Sequence, residues 1–207
     1  MKVILGIGNP GNRYQLNRHN VGFMFLDYFA SSYSVTFNSS KFDYYFSEGE
    51  IDGNRFSLIR PTTYVNNSGI AAQQAIQNYK IEIADFLVVY DDINLAFPDL
   101  RLRASGGDGG HNGINSVIYH LASEDFPRLR VGIGNNFDKG KMAEYVLSDF
   151  TQNEFIYLEK SLKDASILVK EFICGGLKNL FDSNSTFVKN NNEKKLLNQS
   201  KGNQENL

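Results

Sequence analysis

The segment Phe86-Leu87-Val88-Val89-Tyr90 limits the possible folds more than any other stretch of this chain. It is apolar and rich in β-branched residues, lacks the alternation of a half-solvated strand, and stops at Asp91-Asp92. It therefore reads as a central strand that ends in acid. A second short apolar run, Val3 to Ile7, is stopped by Gly-Asn-Pro-Gly, whose members favour turns for separate steric reasons. The segment VGFMFLDYFASSY, with Asn20 as N-cap, reads as the first helix. Asp52-Gly53, between the extended runs Tyr44 to Ile51 and Asn54 to Arg60, marks an antiparallel hairpin. Ser68 to Tyr79 is helical, and Leu100 to Ala104 and Leu129 to Ile133 read as strands. Between those two strands lie a glycine-rich loop and a short helix near Asn115 to Leu121. Thr151 and Glu154 form a capping box ahead of a long helix that ends at Gly175-Gly176, and a last helix follows around Leu177 to Phe181.

The order is mixed α and β throughout, and 207 residues suit one domain with one core. Residues 1–188 form that domain, while residues 189–207 are polar, show little periodicity and read as a disordered tail. The 21 basic and 23 acidic residues nearly cancel, so a nucleic-acid partner would have to be met by a local patch. One cysteine excludes an internal disulfide, and three histidines with one cysteine cannot build a cysteine-rich zinc site. That composition fits a reducing cytoplasm. No run reaches the ~18 apolar residues of a membrane span, and no heptad seam asks for more than a monomer.

Gly6-Ile7-Gly8-Asn9-Pro10-Gly11 is a literal G-x-G-x-x-G after a strand, the pattern that elsewhere cradles a dinucleotide. The physical fit is poor. Pro10 removes a phosphate-binding N–H, no helix starts at once, and the acid expected about 20 residues on is Asp27, which falls mid-helix and reads as buried. The other reading is a strained turn that aims Asn9. His19 lies between this loop and the first helix, where a histidine is either a capping or surface residue or a base facing a cleft. Asn66 follows a strand, and Asp91 ends one, so both could share with Asn9 the crevice beyond the carboxyl ends of a sheet. Asp91-Asp92 could be a solvated turn or a metal pair. Adjacent strand residues point to opposite faces, which favours a single aspartate orienting a histidine. The run Gly106 to Gly113 either lets backbone approach a ligand or is a mobile surface loop. His120 and Cys174 read as structural, and no G-x-S-x-G elbow occurs, so water is the better nucleophile for a hydrolase.

Taken together, GIGNPG, NRHNVGF, PTTYVNNSG, VVYDDINL, GGDGGHNGINSVI and LRVGIG resemble, in order and spacing, the bacterial-type peptidyl-tRNA hydrolase family over Lys2 to Phe187. The resemblance implies an α/β fold, a single globular domain with a mixed, largely parallel sheet surrounded by helices. It also implies hydrolysis of the ester between a peptide and the 3′-terminal ribose of tRNA, without cofactor or metal. Carried over by residue, His19 and Asp91 are catalytic, and Asn9, Tyr14, Tyr64, Asn66, His111 and Asn112 bind substrate. Arg103, Arg130 and Lys139 meet tRNA phosphates. The chain departs from the family pattern at Val65, commonly methionine, and at Asn135-Asn136-Phe137, where a His-Pro-Gly-like turn is replaced. A non-catalytic RNA-binding module on the same fold is the alternative, against which the intact His19, Asp91 and asparagine set argues.

Overall fold

Seven strands form one sheet in the computed structural model, which describes the backbone of residues 1–204 and the side chains of residues 1–185. The expectation for 189–207 lies outside the residues whose side chains are described. The strands are β1 (Lys2–Gly6), β2 (Asn38–Ser39), β3 (Tyr44–Ile51), β4 (Asn54–Pro61), β5 (Phe86–Asp92), β6 (Leu100–Arg103) and β7 (Arg128–Gly132). Their order across the sheet is β2-β3-β4-β1-β5-β7-β6. The four central strands β4, β1, β5 and β7 run parallel, in registers such as Val3 with Ser57 and with Phe86, and Asp91 with Val131. The outer strands pair antiparallel. The hairpin between β3 and β4 turns at Asp52 (φ 51°) and Gly53 (φ 79°), the positive pair that matches strand twist.

Alternation along the strands divides the core into two layers. Ile4, Leu87, Val89 and Val131 meet Phe25, Leu26 and Phe29 of α1 (Val21–Ser32) and Val169 and Phe172 of α5 (Gln152–Gln204). Val3, Leu5, Val88 and Tyr90 face the other way, onto Ala71, Ala72 and Ala75 of α2 (Ser68–Tyr79) and Ile114 and Val117 of α3 (Asn112–Leu121). A parallel sheet covered on both faces needs strands that are apolar on both sides. The run from Phe86 meets that demand and is buried throughout.

Several local readings change. Asn20 precedes α1, yet its side chain makes no cap. α3 starts at Asn112 rather than near Asn115, because His111 caps it. Asp27 is exposed and pairs with Arg60 at 2.5 Å instead of being buried. A short helix, α4 (Met142–Val146), was without a sequence signal. The expected break at Gly175-Gly176 is kept: Gly176 (φ 68°) is non-helical and separates two helical stretches within α5. The Thr151 box is present: Thr151 N–H donates to Glu154 Oε2 at 2.7 Å and Glu154 N–H to Thr151 Oγ at 3.3 Å. Among the described residues no helix is long and apolar enough to cross a membrane.

Candidate active site

Parallel strands bring their carboxyl ends to one edge, and the loops leaving β1, β4 and β5 meet there. In the loop after β1, Asn20 accepts the Asn9 N–H at 2.8 Å and donates to the Asn9 carbonyl at 2.9 Å. That double bond to the main chain is where the expected helix cap went. The Asn9 side-chain oxygen accepts the N–H of Val65 at 3.0 Å, which ties this loop to the turn after β4. With that oxygen taken, the amide NH2 of Asn9 is the group left to offer, and it can only donate. The loop is thus folded in on asparagines and is not shaped to wrap a pyrophosphate.

His19 sits in a one-turn 3₁₀ segment, Arg18–Asn20, fixed from behind by residues more than a hundred positions away. The Arg18 N–H donates to Ser148 O and the Phe150 N–H to Leu16 O, both at 3.0 Å, and Asn17 donates to the Leu147 carbonyl. The Arg18 guanidinium, buried, grips both carboxylate oxygens of Glu154 at 2.9 and 3.0 Å and lies over the rings of Tyr145 and Phe150.

From this turn His19 Nδ1 reaches Asp91 Oδ1 at 2.8 Å and Oδ2 at 3.0 Å. Asp91 is 1% exposed at the end of β5, and Asp92 points to the other face, where it pairs with Arg130. His111 Nε2 also reaches Asp91 Oδ1, at 3.0 Å. Burial opposes charge on His19, but the Asp91 carboxylate, through its charge and its hydrogen bond, outweighs it and raises the His19 pKa above the ordinary imidazole value. Burial likewise opposes charge on Asp91, and the two imidazoles outweigh it, holding the carboxyl well below the usual range. These three side chains are, among the described residues, the group whose spacing could take a metal ion. Two imidazole hydrogen bonds to one carboxylate already satisfy the same atoms.

The cluster opens onto a cavity of about 420 Å³ lined by His19, Asp91, His111, Asn112, Arg103 and Arg130, with α4 and the glycine loop completing the wall. The loop holds its own shape. Asp108 accepts the Gly110 N–H at 2.6 Å and the Asn115 side-chain amide at 2.8 Å, and Gly110 adopts φ 82°. Buried Arg128 ties the loop to the sheet, donating to Gly107 O at 2.7 Å and to Glu124 O at 3.2 Å.

The remaining predicted residues are placed less uniformly. Asn9 lines a neighbouring groove of about 620 Å³. Asn66 is exposed on the turn Val65–Asn67, which packs against α3, with Val65 close to Gly113. Tyr14 and Tyr64 meet edge to face, centroids 6.4 Å apart, on the loops after β1 and β4. Lys139 is exposed ahead of α4 and does not line the cavity.

The family model for peptidyl-tRNA hydrolase matches residues 3–195. This chain belongs to the peptidyl-tRNA hydrolase family. A peptidyl-tRNA hydrolase of Bacillus cytotoxicus is 39% identical over 173 residues, which cover 84% of this chain and 93% of that protein. One from an Exiguobacterium strain is 40% identical over 173 residues, 84% and 94% of the two chains. The crystal structure of peptidyl-tRNA hydrolase from Acinetobacter baumannii matches with a TM-score of 0.80 at 33% identity, covering 84% of this chain and 89% of that one.

Within a peptidyl-tRNA hydrolase fold, Arg18 and Arg128 carry no local pattern, and Asn20, read as a helix cap, holds the Asn9 main chain instead. The departure at 135–137 is absorbed structurally, since Phe137 packs on Tyr145, centroids 5.0 Å apart, and the Tyr145 hydroxyl donates to Ile133 O.

Proposed function

We propose that this chain hydrolyses the ester between a peptide and the 3′-terminal ribose of tRNA, with His19 as general base. The observation that carries the reading is the buried Asp91 on His19 Nδ1, which leaves Nε2 as the basic atom at a cavity walled by arginines. His19 takes a proton from water as the water oxygen bonds to the ester carbonyl carbon, and Asp91 stabilises the imidazolium that forms. The bond from that carbon to the ribose oxygen then breaks, and the proton passes to the leaving hydroxyl. Peptide acid and tRNA are the products, and no cofactor takes part.

The amide of Asn9 is a donor suited to the substrate carbonyl as it gains charge, and Asn66, on the turn after β4, and Asn112, at the start of α3, are further amide donors. Tyr14 and Tyr64 meet the peptide side, while Arg103, Arg130 and Lys139 meet phosphates. One chain supplies every residue of this set, so a monomer suffices, and the substrate places the reaction in the cytoplasm. The test is release of an N-blocked aminoacyl group from tRNA. His19→Ala is expected to lower kcat by roughly 10² to 10⁴, the usual share of general acid–base catalysis. Turnover by His19→Ala at the wild-type rate would sink the assignment, and binding without turnover by the wild type would favour a non-catalytic RNA-binding module.

A further inference from the structure

His111 stands beside His19 and is wired differently. Its Nδ1 accepts the main-chain N–H groups of Gly113 and Ile114, at 3.1 and 3.2 Å, in the first turn of α3. A nitrogen that accepts two hydrogen bonds carries no proton, so the ring proton is on Nε2. That Nε2–H donates to Asp91 Oδ1 at 3.0 Å, the oxygen that His19 reaches at 2.8 Å. One carboxylate oxygen therefore serves two imidazoles whose centroids are 4.8 Å apart, and Tyr90 packs edge-on against His111. Both nitrogens of His111 are committed inside the protein, which leaves none to bind substrate.

We infer that His111 is a positioning residue, which holds Asp91 against the start of α3 and takes a share of the charge that Asp91 would otherwise give to His19. The inference rests on the reading of His19 as the base. Other charged groups near His19 are committed elsewhere. Arg18, on its own turn, faces Glu154, and Asp92 of β5 faces Arg130 of β7. Asp108 of the loop holds Asn115, and Arg128 holds main-chain carbonyls. Arg103 of β6 reaches the cavity, to which α4 presents Met142, Ala143 and Val146, followed by Leu147, and no ionisable side chain. A carboxylate that spends charge on a second N–H stabilises an imidazolium less. Without that donor, His19 keeps its proton to higher pH.

Two substitutions separate the roles of the two nitrogens. His111→Asn keeps an oxygen near the Nδ1 position, a favoured N-cap, and is too short for Asp91. His111→Gln keeps an N–H near the Nε2 position and gives up the cap. His19 is titrated by NMR in both variants and in wild type, which needs no substrate, and kcat/KM is followed against pH with N-blocked aminoacyl-tRNA. In His111→Asn the His19 pKa is expected to rise by about 0.5 to 1 unit, as for loss of one competing hydrogen bond, while Tm stays within about 2 °C. In His111→Gln the His19 titration is expected to return toward wild type while Tm falls by about 2 to 4 °C, the share of a helix cap. An unchanged or lowered His19 pKa in His111→Asn, with the loss of activity carried by KM, would overturn the inference and make His111 a substrate contact. Absence of turnover in the wild type would overturn the esterase reading instead and leave the NMR comparison valid.

Discussion

Arg18→Met is the substitution whose cost is best worked out from the structure. It keeps the stem and deletes the guanidinium, and with it the two contacts to Glu154, the bond from Nε to Ser148 Oγ at 3.3 Å and the stacking on Tyr145 and Phe150 at 4.7 and 4.8 Å. Breaking a fully buried pair costs about 3 to 5 kcal/mol and an exposed one under about 1. Here the side chains are 8% and 26% exposed, so about 2 kcal/mol is the intermediate value. The two ring contacts add about 0.5 kcal/mol or more each, and a total near 3 kcal/mol lowers the Tm of a chain this size by roughly 6 to 12 °C.

Thermal and urea unfolding followed by circular dichroism measure this, and a double-mutant cycle with Glu154→Gln, which keeps the Thr151 cap, isolates the pair. The pH dependence has a definite sign. Burial raises the Glu154 pKa, but hydrogen bonds from Arg18 and Thr151 outweigh it and leave the folded value below the ordinary 4.5. A depressed carboxyl contributes stability above its unfolded pKa and loses it as pH falls through the folded one. The gap between wild type and Arg18→Met should therefore be full at pH 7 and shrink below about pH 4.5. A loss under about 1 kcal/mol at pH 7, or a cycle with no coupling, would refute the argument.

Three further outcomes concern other parts of the molecule. A Cβ on Gly69 of α2 would lie 2.1 Å from Ser116 O and 2.5 Å from His120 Nδ1 of α3, so Gly69→Ala should cost at least about 2 kcal/mol by overpacking; a wild-type denaturation midpoint would contradict the helix crossing. If Arg103 meets a phosphate, Arg103→Ala should reduce the slope of log K against log salt for tRNA by about 0.9 with stability unchanged. Arg130→Ala should lower stability as well, because it strips buried Asp92 of its cation, and equal unfolding midpoints for the two variants would contradict that difference.

Elements with local signals were legible in the chain itself. The β5 run, the Asp52-Gly53 hairpin and the Thr151 box each depend on residues within a few positions of one another, and each forms where the pattern placed it. Asn20 shows the limit of such reasoning. Its type and position suit a helix cap, but the Asn9 main chain, eleven residues back, competes for the same side chain and wins. Arg18 carried no signal because Glu154 is 136 residues away, and Arg128 none because its partners are backbone carbonyls. His111 capping α3 was illegible because histidine is an uncommon cap and its second nitrogen needed Asp91 to fix the ring. The assembly of His19 with Asp91 could be named only through resemblance, since no spacing rule joins positions 72 residues apart.

The seam that joins Leu16, Asn17 and Arg18 to residues 147–150 also orders events during synthesis. His19 leaves the ribosome ahead of every residue that holds its turn from behind. Asp91 follows near the end of β5, and Ser148, Phe150 and Glu154, which brace the turn from behind, come 129 to 135 residues after His19. A nascent chain stalled before Phe150 therefore contains every residue proposed for the chemistry and lacks the brace that holds the first of them in place. If His19 is the base, an enzyme of this build is expected to gain activity only once the start of α5 has emerged to close on a turn translated long before it.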